Sequence, residues 1–315
     1  MPAGMRQPQA SPFLIRVVWS GYPQGKGVGT EASLQHAETN DLSGDSDMDL
    51  NLAAKRALIT GSTAGIGVAI ARALAREGCD VVVHGRDVAR AEHVAKEIMK
   101  EGRRAFPVIA DLSTESGPHE LYQGAVEGLG GLDILVNNAG EYAGKNWFET
   151  TRESWEAFYR TDVLSAVGLI LEAGPAMSRQ GWGRIVNIAT GMASTPQVMM
   201  PDYAAAKAAL VNATLSSAKA LAGSGVTVNT ISPGLIHTPN VEKILRDEAK
   251  KRSWGDDWET IQRRWFDDIL GDRTLKRLGR PKEVADLVAF VVSPLAAYVN
   301  GTNLRIDGGK SPSIN

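Results

Sequence analysis

From Lys55 onward the chain alternates short apolar runs with longer amphipathic stretches, and this alternation limits the fold more than any other feature. Runs rich in Val, Ile and Ala at 57–60, 80–84, 105–110, 134–137, 184–189, 226–231 and 302–306 have the length and composition of buried strands. Between them, 65–77, 87–101, 115–128, 152–179, 202–222 and 281–292 carry helical periodicity. Strands separated by helices pair in parallel, because each connection carries the chain back across the sheet as a right-handed crossover. The expectation is a single doubly wound α/β domain with a seven-stranded parallel sheet and helices on both faces. No internal repeat and no second core-forming region interrupts the pattern.

Residues 1–47 stand apart. Their one apolar run, from Phe13 to Trp19, is broken by Arg16 and is too short for a signal-peptide core. Met48, followed by a polar lead-in and a strand, reads as an ordinary protein start. We expect 1–47 to be a disordered extension, with a transit peptide as the alternative, and 48–315 to be the folded domain. No run of 18 apolar residues exists, so no membrane span is expected, and a cytoplasmic location follows. A net charge of −2 provides no basic field for nucleic acid. The single cysteine, Cys79, excludes an internal disulfide and a cysteine-based zinc site. The five histidines show no metal-ligand spacing, so no metal is expected.

The first strand runs into Thr60-Gly61-Ser62-Thr63-Ala64-Gly65-Ile66-Gly67 and then a helix. Three glycines there permit a tight turn, close approach of backbone amides to a pyrophosphate, and tight packing of helix on sheet. The helix start adds its dipole and unpaired N–H groups, which suit phosphate. The alternative is a purely structural turn.

A Gly-x-x-x-Gly-x-Gly spacing after Thr60 resembles the short-chain dehydrogenase/reductase family, a Rossmann-like fold. Further motifs fall in the family's order: Asp111-Leu112 after the third strand, Asn137-Asn138-Ala139-Gly140 after the fourth, Pro233-Gly234 with Ile236 and Thr238 after the sixth. The resemblance spans roughly 52–309 and implies that these residues, with Gly61, Ser62, Thr63, Gly65, Ile66 and Gly67, bind a nicotinamide dinucleotide. An acid at the end of the second strand would bond a ribose 2′-hydroxyl, whereas an arginine accommodates a 2′-phosphate. Here the chain has Arg86, with Ser62 or Thr63 able to add a hydroxyl. We expect NADP(H), with NAD(H) as the alternative if Asp87 takes the ribose instead.

Tyr203 and Lys207 lie four apart at the start of a helix, so their side chains share one face. The resemblance implies that Tyr203 is the acid in reduction and the base in oxidation, and that Lys207 lowers its pKa and bonds the nicotinamide ribose. A free tyrosine titrates near ~10, too high for efficient transfer at neutral pH. The family's serine, thirteen residues before the tyrosine, corresponds to Thr190, whose hydroxyl could polarise the substrate carbonyl; Ser194 is the rival. The family's asparagine corresponds to Asp162, a departure whose carboxylate would hold Lys207 charged. The Tyr–Lys spacing resembles the carbonyl/alcohol branch, typified by 3-oxoacyl-acyl-carrier-protein reductases, rather than the enoyl reductases.

The segment 238–280 corresponds to a long substrate loop or lid. Trp258, Trp265 and Phe266 fit one helical face, which suits packing or closure over an apolar substrate. Met192, Met199 and Met200 add adaptable apolar surface, and His237 beside Thr238 is expected to be a bystander. These features favour a hydrophobic ketone or acyl thioester, reduced with NADPH. An NAD-dependent alcohol, sugar or polyol dehydrogenase and a non-catalytic dinucleotide sensor are the alternatives. The helices at 152–180 and 202–222, the latter with Ala204, Ala205, Ala208 and Ala209, imply a homo-oligomer, tetramer or dimer.

Overall fold

The computed structural model describes residues 48–140, 142, 144–270 and 275–312. The expected extension at 1–47 and part of the expected lid, 271–274, lie outside the described residues. Strand β1 (Arg56–Ile59) leads into α1 (Gly65–Arg76), β2 (Asp80–Gly85) into α2 (Val88–Lys100), and β3 (Ala105–Ile109) into α3 (Gly117–Leu129). After β4 (Ile134–Asn137), helices α4 (Arg152–Phe158) and α5 (Ser165–Arg179) precede β5 (Gly183–Ile188). Then come α6 (Pro201–Ala220), β6 (Val226–Pro233), α7 (Pro239–Lys251), α8 (Trp258–Arg264), α9 (Pro281–Val292) and β7 (Asn303–Ile306).

All seven strands join one parallel sheet in the order β3-β2-β1-β4-β5-β6-β7. The strands are Val/Ile-rich because both faces are covered. Ile59, Val83 and Val136 pack toward α1, α2 and α9, whereas Leu58, Val82 and Leu135 pack toward α3 and α5. Each such fully buried aliphatic side chain contributes about 1.5–3 kcal/mol. The strand order reverses between β1 and β4, and in open α/β sheets the crevice at that switch point is where ligands bind. Register pairs Ile59 with Val83 and with Val136, so the chain leaves β1, β2 and β4 at one level, on one rim.

Two segments depart from the sequence expectation. The span 152–179 is helical, but its middle, Tyr159–Leu164, widens into a π-turn that buries Asp162 and Val163. The segment expected as a long loop folds into α7, α8 and a second π-turn, Trp265–Leu270. Val241, Leu245, Ala249, Ile261, Phe266 and Leu278 close a small core there, flanked by Trp254, Trp258 and Trp265. The aromatic stripe therefore packs inward. No helix among the described residues is long and apolar enough to cross a membrane.

Candidate active site

The rim left by β1, β2 and β4 opens into a cleft of about 600 Å³. Its floor is the turn between β1 and α1. Gly67 has no side chain to spare: a Cβ there would run into the Gly61 carbonyl and lie 2.7 Å from Asn138 Nδ2. Ala64 caps α1 without a side-chain hydrogen bond, and the first turn carries no acidic residue. The amides there are thus offered to an anion rather than to the protein. Gly61, Thr63, Gly65 and Ile66 line the cleft.

Neighbouring strands brace this turn. Thr60 Oγ1 accepts the amides of Asn138 (2.9 Å) and Ala139 (2.8 Å), while Asn138 Nδ2 donates to the carbonyls of Thr60 and Gly61. His84, only 3% exposed, accepts the Gly61 amide on Nδ1 at 3.0 Å and donates from Nε2 to Ala110 O at 3.1 Å. Those two partners fix one neutral tautomer, and burial lowers the imidazole pKa to about 4. Ser62 was expected to offer a hydroxyl to the ribose. It is instead fully buried, donating to Ile59 O and accepting the His84 amide, so that hydroxyl does not face the cleft.

At the end of β2, Arg86 and Arg90 both line the cleft. Asp87 is engaged elsewhere: it caps α2 by accepting the Arg90 amide and pairs with the Arg90 guanidinium at 3.2 Å. Arg90, in the first turn of α2 that Asp87 caps, carries no sequence motif that marks it for the cleft. Asp111 and Leu112 line the same end, with the Asp111 carboxyl held below its usual range by hydrogen bonds from Ser113. Ala139, Gly140, Pro233, Gly234, Ile236 and Thr238 complete the wall, and Thr238 also caps α7. These donors beside the start of α1 fit a nicotinamide dinucleotide.

Above the wall lie Thr190, Tyr203 and Lys207. A buried hydrogen-bonded chain, Asn137–Asn187–Thr214–Thr230, ties β4, β5, α6 and β6 together beneath them. Tyr203 is 8% exposed, lines the cleft with Thr190, and is edged by the rings of Tyr142 and Phe158 at 5.9 and 5.8 Å. Lys207 Nζ donates to Ile188 O at 3.1 Å and stands 3.5 Å from Asp162 Oδ2, both side chains buried. Ser194 donates to Gly191 O instead of facing the cleft. His237 is paired with Glu242 and stacked on Trp258. Of the methionines, Met192 and Met200 pack against Tyr203, while Met199 is half exposed.

A family model described as short chain dehydrogenase matches residues 55–249, more than half of the chain. The chain belongs to the short-chain dehydrogenase family. It is 35% identical over 263 residues to the 3-oxoacyl-(acyl-carrier-protein) reductase FabG of Aquifex aeolicus, covering 83% of this chain and 99% of that one. Among solved structures, the L-sorbose reductase of Gluconobacter frateurii complexed with NADPH and L-sorbose superposes with a TM-score of 0.80 at 33% identity, covering 85% of this chain and all of that one. A 7α-hydroxysteroid dehydrogenase complexed with NADH and 7-oxo glycochenodeoxycholic acid gives 0.74 at 31%, covering 85% and 98%. This short-chain dehydrogenase is an oxidoreductase, and its relatives differ in substrate and cofactor.

Opposing influences meet at the Tyr203 phenol. In this structure the phenol is held well above its usual range, first by burial, then by the negative charge of Asp162 and by Tyr142; the Thr190 hydrogen bond opposes them only in part. Burial is the first cause, and the buried carboxylate beside the Lys207 ammonium adds to it.

Proposed function

We propose that this chain is an NADP(H)-dependent reductase of a 3-oxoacyl thioester or similarly hydrophobic ketone, with Tyr203 as the proton donor. The observation that carries this reading is the convergence of Thr190, Tyr203 and Lys207 on the wall of the cleft whose floor is the glycine turn. Thr190 holds the carbonyl oxygen and polarises it, and Tyr203 gives that oxygen its proton. Lys207 keeps a donor for the nicotinamide ribose, since only part of its three-donor capacity goes to Ile188 and Asp162. When bound, the nicotinamide supplies the hydride. Arg86 and Arg90 favour a 2′-phosphate, because a guanidinium grips phosphate in two places and Asp87 is committed to capping α2. The aromatic and methionine surroundings of Tyr203 favour an apolar acyl or ring substrate over a sugar. Exposed Leu164, Leu171 and Leu215 on the α5 and α6 side support pairing into a homodimer or homotetramer.

Turnover across a panel of 3-oxoacyl thioesters, cyclic ketones and ketoses, with NADPH and NADH in parallel, tests the proposal. Tyr203→Phe is expected to lose about 10²–10⁴-fold in kcat while still binding NADPH. Arg86→Asp is expected to weaken NADPH binding by about tenfold or more without weakening NADH. NADPH binding without turnover anywhere in the panel would move the chain to the sensor class, and undiminished turnover by Tyr203→Phe would remove the acid assigned here.

A further inference from the structure

The π-turn between α4 and α5 delivers Asp162, 1% exposed, to the buried side of Lys207, 3.5 Å away. Gly140 makes room for the pair: a Cβ there would stand 2.8 Å from Asp162 Oδ1 and 3.2 Å from Lys207 Nζ. The Lys207 ammonium lies 5.8 Å from the centre of the Tyr203 ring. Of the other groups around that ring, Tyr142 acts in the same direction as Asp162 but less. Asp202 is turned to the Tyr203 amide and the Ser154 hydroxyl, Tyr142 presents its ring edge, and the β5 end presents the Thr190 hydroxyl. Arg160, on the same turn as Asp162, is exposed, and His237 on the lid is held by Glu242.

We propose that Asp162 is a positioning residue that sets the pH at which Tyr203 exchanges its proton, its carboxylate cancelling the field of the Lys207 ammonium. An ammonium alone would favour the phenolate. An ammonium paired with a buried carboxylate presents almost no net charge, so burial decides, and burial favours the neutral phenol. This agrees with the direction in which Asp162 acts on Tyr203. The proposal rests on the acid/base reading of Tyr203 given above. With an amide at 162 the ammonium would act unopposed and the phenol would ionise in a less alkaline medium.

The test compares the wild type with Asp162→Asn, which keeps size and hydrogen-bonding capacity, and with Asp162→Ser as a second neutral variant. The pH midpoint of kcat/KM for alcohol oxidation is expected to fall by about one to two units in both, from the loss of one charge at this distance. An activity-independent measurement accompanies it: ultraviolet titration of tyrosinate in the cofactor-free protein, with Tyr203→Phe subtracted, should move the same way. A midpoint that stays in place, or a uniform loss at every pH, overturns the role given to Asp162. If Tyr203→Phe is inactive while the Asp162→Asn midpoint is unmoved, only this inference fails. If Tyr203→Phe stays active, the acid/base reading itself fails.

Discussion

The glycine turn after β1 and the start of α7 face the same cleft, yet different forces hold the turn and the α7–α8 segment expected to be a lid. The turn is fixed by buried hydrogen bonds, of Ser62 with Ile59 O and the His84 amide and of His84 with Ala110 O, and by the part-buried ones of Thr60, His84 and Asn138 to the turn's backbone. The lid is fixed by its own small apolar core and by exposed ion pairs such as Arg246 with Glu242 and Arg252 with Glu248. Exposed pairs contribute about 0–1 kcal/mol each. Buried hydrogen bonds resist local opening because an unmade one leaves a desolvated group, at about 1–3 kcal/mol. The turn is therefore built to keep one shape, whereas the segment of α7 and α8 is held chiefly by its own apolar core. Asn240, which donates to the Tyr142 carbonyl at 3.1 Å, ties the lid to the rim.

The contrast can be broken most strongly at His84. His84→Ala leaves the Gly61 amide and the Ala110 carbonyl without their partner, and should destabilise the protein by about 2–4 kcal/mol and weaken cofactor binding. The same variant sharpens the pH argument. Because the folded state holds His84 neutral down to about pH 4, the unfolded chain binds the extra proton first. Stability is thus whole above about pH 6.5 and declines as the medium is acidified toward about 4. Thermal melts across that window should fall for the wild type and be flatter for His84→Ala; equal slopes would show that His84 is not the group responsible.

Phe266→Ala removes the buried ring at the lid core, 3% exposed. We expect a rise of about tenfold in KM for the carbonyl substrate and little change in NADPH affinity. A loss of NADPH affinity matching the loss in KM would show that lid and turn act as one unit. The smallest effect is expected for Asn240→Ala, which removes one exposed latch and should change KM by about two- to threefold with the melting temperature unmoved.

The sequence by itself determined the sheet. Apolar runs of four to eight residues between amphipathic helices admit few arrangements, and the strands expected at 57–60 through 302–306 lie within one or two residues of those observed. It also marked most of the cleft, because glycine spacing and the Tyr203–Lys207 offset are local and require only a strand, a turn and a helix. Tertiary structure decided what depends on distant partners. Ser62 turned inward because β2 offered it the His84 amide, and Arg90 lines the cleft from the first turn of α2, which Asp87 caps. The lid became helical because its aromatic residues found a core among α7, α8 and Leu278. The field at Tyr203 is the plainest case: a π-turn, which no periodicity announces, rotates Asp162 against Lys207. Electrostatic energies depend on distance and burial, and a linear chain specifies neither.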